Sequence, residues 1–188
     1  MHQTMTQEDS QRLIPKDEEA QKVAAAQQDP RAFGALYDQY APSIYRYLLS
    51  RLRNVEEARD ITSQTFLSAY ENFFRYEHKG YFSAWLFSIA RSKYVDHLRK
   101  KKLHLKLQAN TELDAQQDPL SQIIETERVK ELRKQIRKLA EEEQELLRLR
   151  YIAGLGFAEL ARILNKKEDA VKKTLYRLLA RLQSQMED

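Results

Sequence analysis

The residues of this sequence best equipped for chemistry are cations and aromatic rings, not nucleophiles or acid–base pairs. Between positions 157 and 182, Phe157 to Leu164 reads as a short helix and Glu168 to Leu182 as a longer one. The polar turn Asn165-Lys166-Lys167 joins them, and asparagine tolerates the left-handed geometry such a turn needs. Helix, short turn and longer helix is the helix-turn-helix arrangement. In the longer helix Val171, Leu175, Leu178 and Leu182 form one apolar stripe, leaving Asp169, Lys172, Lys173, Tyr176 and Arg177 opposite it. Those groups suit a DNA major groove, while a bundle helix with a solvated basic face is the plainer alternative.

A second constellation lies between 73 and 102. Phe73, Phe74, Arg75, Tyr76, Tyr81, Phe82 and Trp85 surround a break at Gly80, and a helix bearing Arg91, Lys93, Arg99, Lys100, Lys101 and Lys102 follows. Aromatic rings stack on unpaired bases while Lys and Arg engage phosphates. The alternative is that most of these rings are core, Trp85 and Phe82 first among them. Catalytic readings find little: His2, His78, His97 and His104 have no ligand-like spacing, and there is no glycine-rich phosphate loop. The runs Glu56-Glu57 and Glu141-Glu142-Glu143 sit where helix N-termini favour acids. No active site, metal or cofactor is expected.

The elements that position these groups are helical. Gly and Pro number 4 each, and no long stretch alternates apolar with polar residues, so the fold class is all-α. The 188 residues suffice for two compact helical domains. Four parts are expected: a polar acidic tail over 1–28 that is mobile or a frayed helix, a helical domain over 29–103, a flexible linker over 104–124 and the helix-turn-helix domain over 125–188. In the first domain Asp29-Pro30 starts a helix that Pro42 should kink or divide. Val55 to Phe74 forms a second helix. About Ser83 to Lys102 forms a third, with Trp85, Leu86, Ile89, Ala90 and Leu98 facing inward.

Net charge is +4, distributed as −3 over 1–30, +6 over 31–102, −2 over 103–124 and +3 over 125–188. Two basic blocks fit two surfaces meeting a polyanion. The absence of cysteine suits a reducing compartment. No apolar run is long enough to span a membrane, and the first residues carry no export pattern, so a cytoplasmic protein is expected.

Residues 31–102 and 125–185 together resemble a sigma factor of the extracytoplasmic function type, reduced to the family's second and fourth conserved regions. The resemblance is carried by 33–48, by 57–70, by Trp85 to Arg91 with Asp96 to Lys100, and in the second block by 146–151, 154–157, 159–161 and 170–172. It implies a transcription initiation factor, not an enzyme, whose partners are core RNA polymerase (β′ clamp helices and β flap) and promoter DNA. An anti-sigma factor is implied as well.

By that resemblance Asp60, Gln64, Phe66 and Leu67 contact polymerase. Arg75, Tyr76, Tyr81, Phe82, Arg91, Arg99 and Lys100 serve the minus-10 element, with the aromatic segment capturing an extruded base. Lys172, Lys173, Thr174, Tyr176 and Arg177 serve the minus-35 element. The chain departs from the family's pattern at Ser92 (usually Asn), Ala140 (Pro), Asn165 (Gly), Lys166 (apolar), Lys167 (Ser) and Thr174 (Arg). An autonomous helix-turn-helix regulator and a pure protein-interaction bundle stand as alternatives, distinguished by polymerase-independent operator binding and by the absence of salt-sensitive DNA binding.

Overall fold

The computed structural model describes residues 16–77, 81–107 and 126–187, and all regular structure among them is helical. The expected break at 78–80, the first fifteen residues and the expected linker from 108 to 124 lie outside the described residues. The chain divides into two compact units, which contain residues 16–107 and 126–187 respectively.

The first unit is built on three long helices, α2 (Phe33–Leu52), α3 (Val55–Asn72) and α4 (Phe82–Leu107), preceded by α1 (Lys16–Gln28). A 3-10 turn at Pro30–Ala32 leads into α2, with the Asp29 carboxylate accepting from Arg31 N at 2.9 Å. Helix α2 runs unbroken through Pro42, so the expected division does not occur. It ends on Arg53 in the left-handed region, and Asn54 then caps α3 by accepting from Glu57 N at 3.0 Å. That pair of residues reverses the chain. Burial follows the three-and-four spacing of each helix: Leu36, Tyr40, Ile44, Tyr47 and Leu48 from α2, Ala58, Ile61, Phe66 and Ala69 from α3, and Phe82, Leu86, Phe87 and Ala90 from α4. Buried Thr62 and Thr65 return their hydroxyls to the carbonyls of Ala58 and Ile61, both at 2.7 Å, so neither needs another partner.

Four further expectations fail here. Residues 16–28 are not tail but a helix packed on α2, with Val23, Ala26 and the carboxylate-bearing Glu19 all buried. Its apolar stripe consists of so few and such small side chains that no strong periodicity reaches the sequence. Leu98 is 42 % exposed, because α4 runs past the start of α3, where His97 and Lys101 meet Glu57. Trp85 and Ile89, also expected inside, are half-buried. The helix continues to 107, beyond the expected start of the linker at 104.

The second unit comprises α5 (Glu127–Lys138), α6 (Glu141–Leu147), α7 (Phe157–Leu164) and α8 (Glu168–Glu187), with α5, α6 and α7 packing on α8. Thr126 caps α5. At the start of α6, Ala140 N donates to the Glu143 carboxylate at 3.3 Å, a bond that a proline at this position could not make. The same carboxylate accepts from Arg181 of α8 at 2.7 Å. Helix α6 runs on into a π turn over Arg148–Ile152, closed by Ala153 N donating to Arg148 O at 2.9 Å. Gly154 at φ +75 then turns the chain toward α7.

Candidate nucleic-acid interface

In the second unit α7 begins with Glu159 reaching back to accept from Gly156 N at 2.6 Å. It ends on Asn165 at φ 52, ψ 47, with Lys166 N donating to Ala161 O at 2.9 Å. Asparagine thus performs a left-handed cap of the kind that glycine most often fills. The Lys167 carbonyl accepts from Ala170 N and Val171 N, and Glu168 and Asp169 occupy the first turn of α8, where acids complement the helix dipole.

Val171, Leu175, Leu178 and Leu182 are at most 5 % exposed, so the stripe expected from spacing is the buried face. Asp169, Lys173, Thr174, Tyr176 and Arg177 are exposed opposite it. Lys172 is only half-buried: its ammonium lies 2.8 Å from Glu168 and 5.4 Å from the Phe157 ring centroid. The Thr174 hydroxyl donates back to Ala170 O at 2.8 Å, leaving its lone pairs as its outward chemistry. Lys173 and Arg177, four residues apart on one exposed face, are the long cations best placed to reach a polyanion.

In the first unit the aromatic residues form a graded cluster. Phe82 sits at its centre with no exposed surface, its ring centroid 5.5 Å from Tyr40, 5.6 Å from Tyr76, 5.4 Å from Trp85 and 5.9 Å from Phe73. Phe82 therefore leaves the set of expected base contacts: it is enclosed by the very rings it supports. Tyr76 and Trp85 pack together at 4.5 Å, both half-buried, and line an open cleft of about 410 Å³ between the end of α3 and the face of α4. Asn72, Arg75, Ser92 and Asp96 line it too. Of the expected minus-10 residues the cleft gathers Arg75 and Tyr76. Tyr81, half-buried, and Arg91, Arg99 and Lys100, all exposed, lie apart from its lining, and Arg99 pairs with Asp96 at 3.1 Å. Asn72 is a cleft residue that sequence reasoning missed, and Trp85 is one that it placed in the aromatic constellation but weighed as core. Trp85 is spaced as core, and only its half-burial shows otherwise.

On α3, Asp60, Gln64 and Leu67 share one exposed face, and Leu67 is 59 % exposed. Phe66 points the other way, 4 % exposed with its ring 4.7 Å from Tyr37, so it is core and is withdrawn as a contact residue. Tyr70 and Phe74 extend the row from Leu67 at three- and seven-residue spacing, and Phe74 is 63 % exposed. That spacing was available in the sequence. At the other end of α3, burial pushes the Glu57 carboxyl up, but hydrogen bonds and charge from Lys101 (2.7 Å) and His97 (3.1 Å) outweigh it and hold its pKa below the ordinary 4.5. Among the described residues no three His, Asp or Glu side chains gather as a metal site would need, and no helix is long and apolar enough to cross a membrane.

Comparison with known proteins now adds to this geometry. Residues 36–104 match sigma-70 region 2, and residues 130–182 match sigma-70 region 4. The ECF RNA polymerase sigma factor BldN of Streptomyces coelicolor is 36 % identical over 93 % of this chain, which spans 66 % of that relative's length. SigM of Bacillus subtilis, another ECF sigma factor, is 30 % identical over 79 % of this chain and 91 % of its own. The chain belongs to the ECF family of RNA polymerase sigma factors. Sigma factor RpoE from Bartonella quintana, solved with the anti-sigma factor NepR, shares the fold with a TM-score of 0.63 at 19 % identity, over 82 % of this chain and 96 % of that one. An all-α fold is what the composition implied and a sigma factor what the family resemblance implied, and the autonomous regulator is set aside. The region 2 match starts within α2, so α1 with its buried Glu19 lies outside it.

Proposed function

We propose that this ECF sigma factor engages its promoter through two surfaces of unlike chemistry. The exposed face of α8, centred on Lys173, Tyr176 and Arg177 with Lys172 and Thr174 beside it, reads the minus-35 element. The cleft of Tyr76, Trp85, Asn72 and Arg75 receives a base from the opened minus-10 strand, with Tyr81, Arg91, Arg99 and Lys100 nearby in sequence to engage the backbone. The observation that carries this reading is the open cleft itself, where two packed rings adjoin a cation and an amide. Stacking on such rings contributes on the order of 1 to 3 kcal/mol per base, so melting is promoted by binding what has opened. The α3 face of Asp60, Gln64, Leu67 and Tyr70, with Phe74 just beyond the helix end, is the docking face for core polymerase, since an amphipathic helix with exposed apolar groups can lie against a partner helix.

An anti-sigma factor is proposed as a further partner, by analogy with RpoE and NepR. The protein acts where polymerase and chromosome are, in the cytoplasm. The test is run-off transcription with sigma-free core polymerase on fragmented genomic DNA, mapping 5′ ends. Discrete new starts are expected. Replacing Lys172, Lys173 and Arg177 with alanine should weaken promoter-specific transcription and spare polymerase binding, whereas Asp60→Ala with Gln64→Ala should weaken polymerase binding. Equal loss of both activities in both folded variants would sink this division of labour.

A further inference from the structure

Glu19 is a buried carboxylate, 6 % exposed, on a helix outside the matched region, and the roles assigned above make no use of it. Its oxygens accept from the Tyr40 hydroxyl at 2.5 Å and from the first backbone N–H groups of α4, Phe82 N at 2.7 Å and Ser83 N at 3.4 Å. Helix starts leave N–H groups without partners inside the helix, and an anion is the strongest acceptor for them. Here the acceptor comes from more than 60 residues away, so it ties α1 to α4 where a local cap would tie α4 only to itself. Two helical turns later on α1, Gln27 Nε2 donates to the Tyr76 carbonyl at 2.8 Å. Between these anchored positions, Tyr76 and Phe82, lie only five residues.

We propose that α1 is a positioning element for minus-10 opening, with Glu19 and Gln27 pinning the two ends of the 76–82 segment so that Tyr76 and Trp85 are held ready for the extruded base. This inference rests on the minus-10 reading above. It makes Glu19 a positioning residue: it touches no DNA, and acts through the backbone of Phe82 and Ser83. Holding both flanks of that segment sets the Tyr76 ring against Trp85 before DNA arrives, and preorganisation of that kind favours capture.

The test uses the full chain bound to core polymerase on a promoter mapped by the run-off experiment, with 2-aminopurine in the minus-10 non-template strand reporting opening. Duplex promoter is compared with one pre-opened by mismatches, well below the unfolding temperature of every variant. Glu19→Leu keeps the volume but removes the acceptors, and should slow opening of duplex on the order of tenfold, the size of a lost charge-assisted hydrogen bond, with a smaller effect on the pre-opened template. Glu19→Gln, whose amide oxygen still accepts, should recover most of the rate. Gln27→Ala, at an exposed site that cannot threaten folding, should act in the same direction more weakly.

Val23→Ala supplies the control, since it loosens α1 without touching the segment. If Glu19→Leu and Val23→Ala slowed opening in proportion to their losses of thermal stability, or if Glu19→Leu opened duplex at the normal rate, the positioning role would be overturned. Tyr76→Ala and Tyr81→Ala separate the two levels of failure. Slowed opening in these with none in Glu19→Leu overturns only the role of α1, while normal opening in all of them overturns the minus-10 reading as well.

Discussion

In the unit of residues 16–107 the largest fully buried side chains are mostly aromatic, Tyr40, Tyr47, Phe73, Phe82 and Phe87, whereas in the unit of 126–187 they are Leu149, Leu155 and Leu160. The proposed DNA-facing residues divide along the same line. On α8 the outward cations and the inward leucines are different residue types at different helical positions. Around the cleft, rings of one type serve both as core and as surface, and burial alone tells Phe82 from Tyr76. A surface that reads duplex DNA needs charge on one face of a regular helix. One that takes up an unpaired base needs rings at the rim of an aromatic core, and such a rim is continuous with the core that supports it.

The sharpest way to break this comparison is to remove a ring from the core side of that continuum. Phe82→Ala should cost about 3–5 kcal/mol, as for other buried phenylalanines, and Leu175→Ala in the other unit about 2–5 kcal/mol. Trp85 is the sole tryptophan, so its fluorescence during denaturant unfolding reports on the first unit alone, and hydrogen exchange along α7 and α8 reports on the second. A loss below about 1 kcal/mol for Phe82→Ala would mean that the ring is not core and would return it to the candidate base contacts.

The same continuum explains what was legible in the sequence. The helix-turn-helix was readable almost to the residue, because Val171, Leu175, Leu178 and Leu182 keep strict helical spacing and Asn165 marks the turn. The cleft was only half readable. Arg75 and Tyr76 stood out by type, but Trp85 and Phe82 have similar apolar character, and their fates are set by packing from Tyr40 and Phe73, distant in sequence. Phe66 and Leu67 are adjacent apolar residues on α3, and a helix turns about 100° between them, so one is core and the other surface. Helix α1 was legible only as a tail or a frayed helix and its packing was missed, since its most consequential buried group is a carboxylate whose partners lie 21 and 63 residues away.

The turn before α8 sharpens the comparison from the other side, since there backbone geometry and not side-chain packing decides. Asn165 sits at φ 52, where a Cβ costs about 1 kcal/mol or more unless the residue tolerates left-handed geometry. Asn165→Ala should therefore destabilise the second unit by about 1 kcal/mol, while Asn165→Gly should be neutral or mildly stabilising. Faster exchange of α7 and α8 amides in the alanine variant, with Trp85 fluorescence unchanged, is the expected pattern. Equal behaviour of the two variants would show that the chain can cap α7 another way.

The smallest expected effect concerns Glu57 and its partners Lys101 and His97, a feature of the first unit. Its pKa is held below 4.5 in the folded state, so its ionised form is favoured by folding. Such a group contributes stability that is fully present above its unfolded value and is lost as pH falls through the lower folded value. For a carboxylate still partly open to water the contribution is about 1 kcal/mol or less. Glu57→Gln should thus lower the stability read by Trp85 fluorescence by a constant margin above about pH 5, and the margin should shrink as pH falls below 4.5. Exchange in the 126–187 unit should be the same in the variant and the unmodified chain at each pH. A margin that stayed constant down to strongly acid pH would show that His97 and Lys101 hold the protonated Glu57 carboxyl as well as the carboxylate, and that shape rather than charge joins α3 to α4.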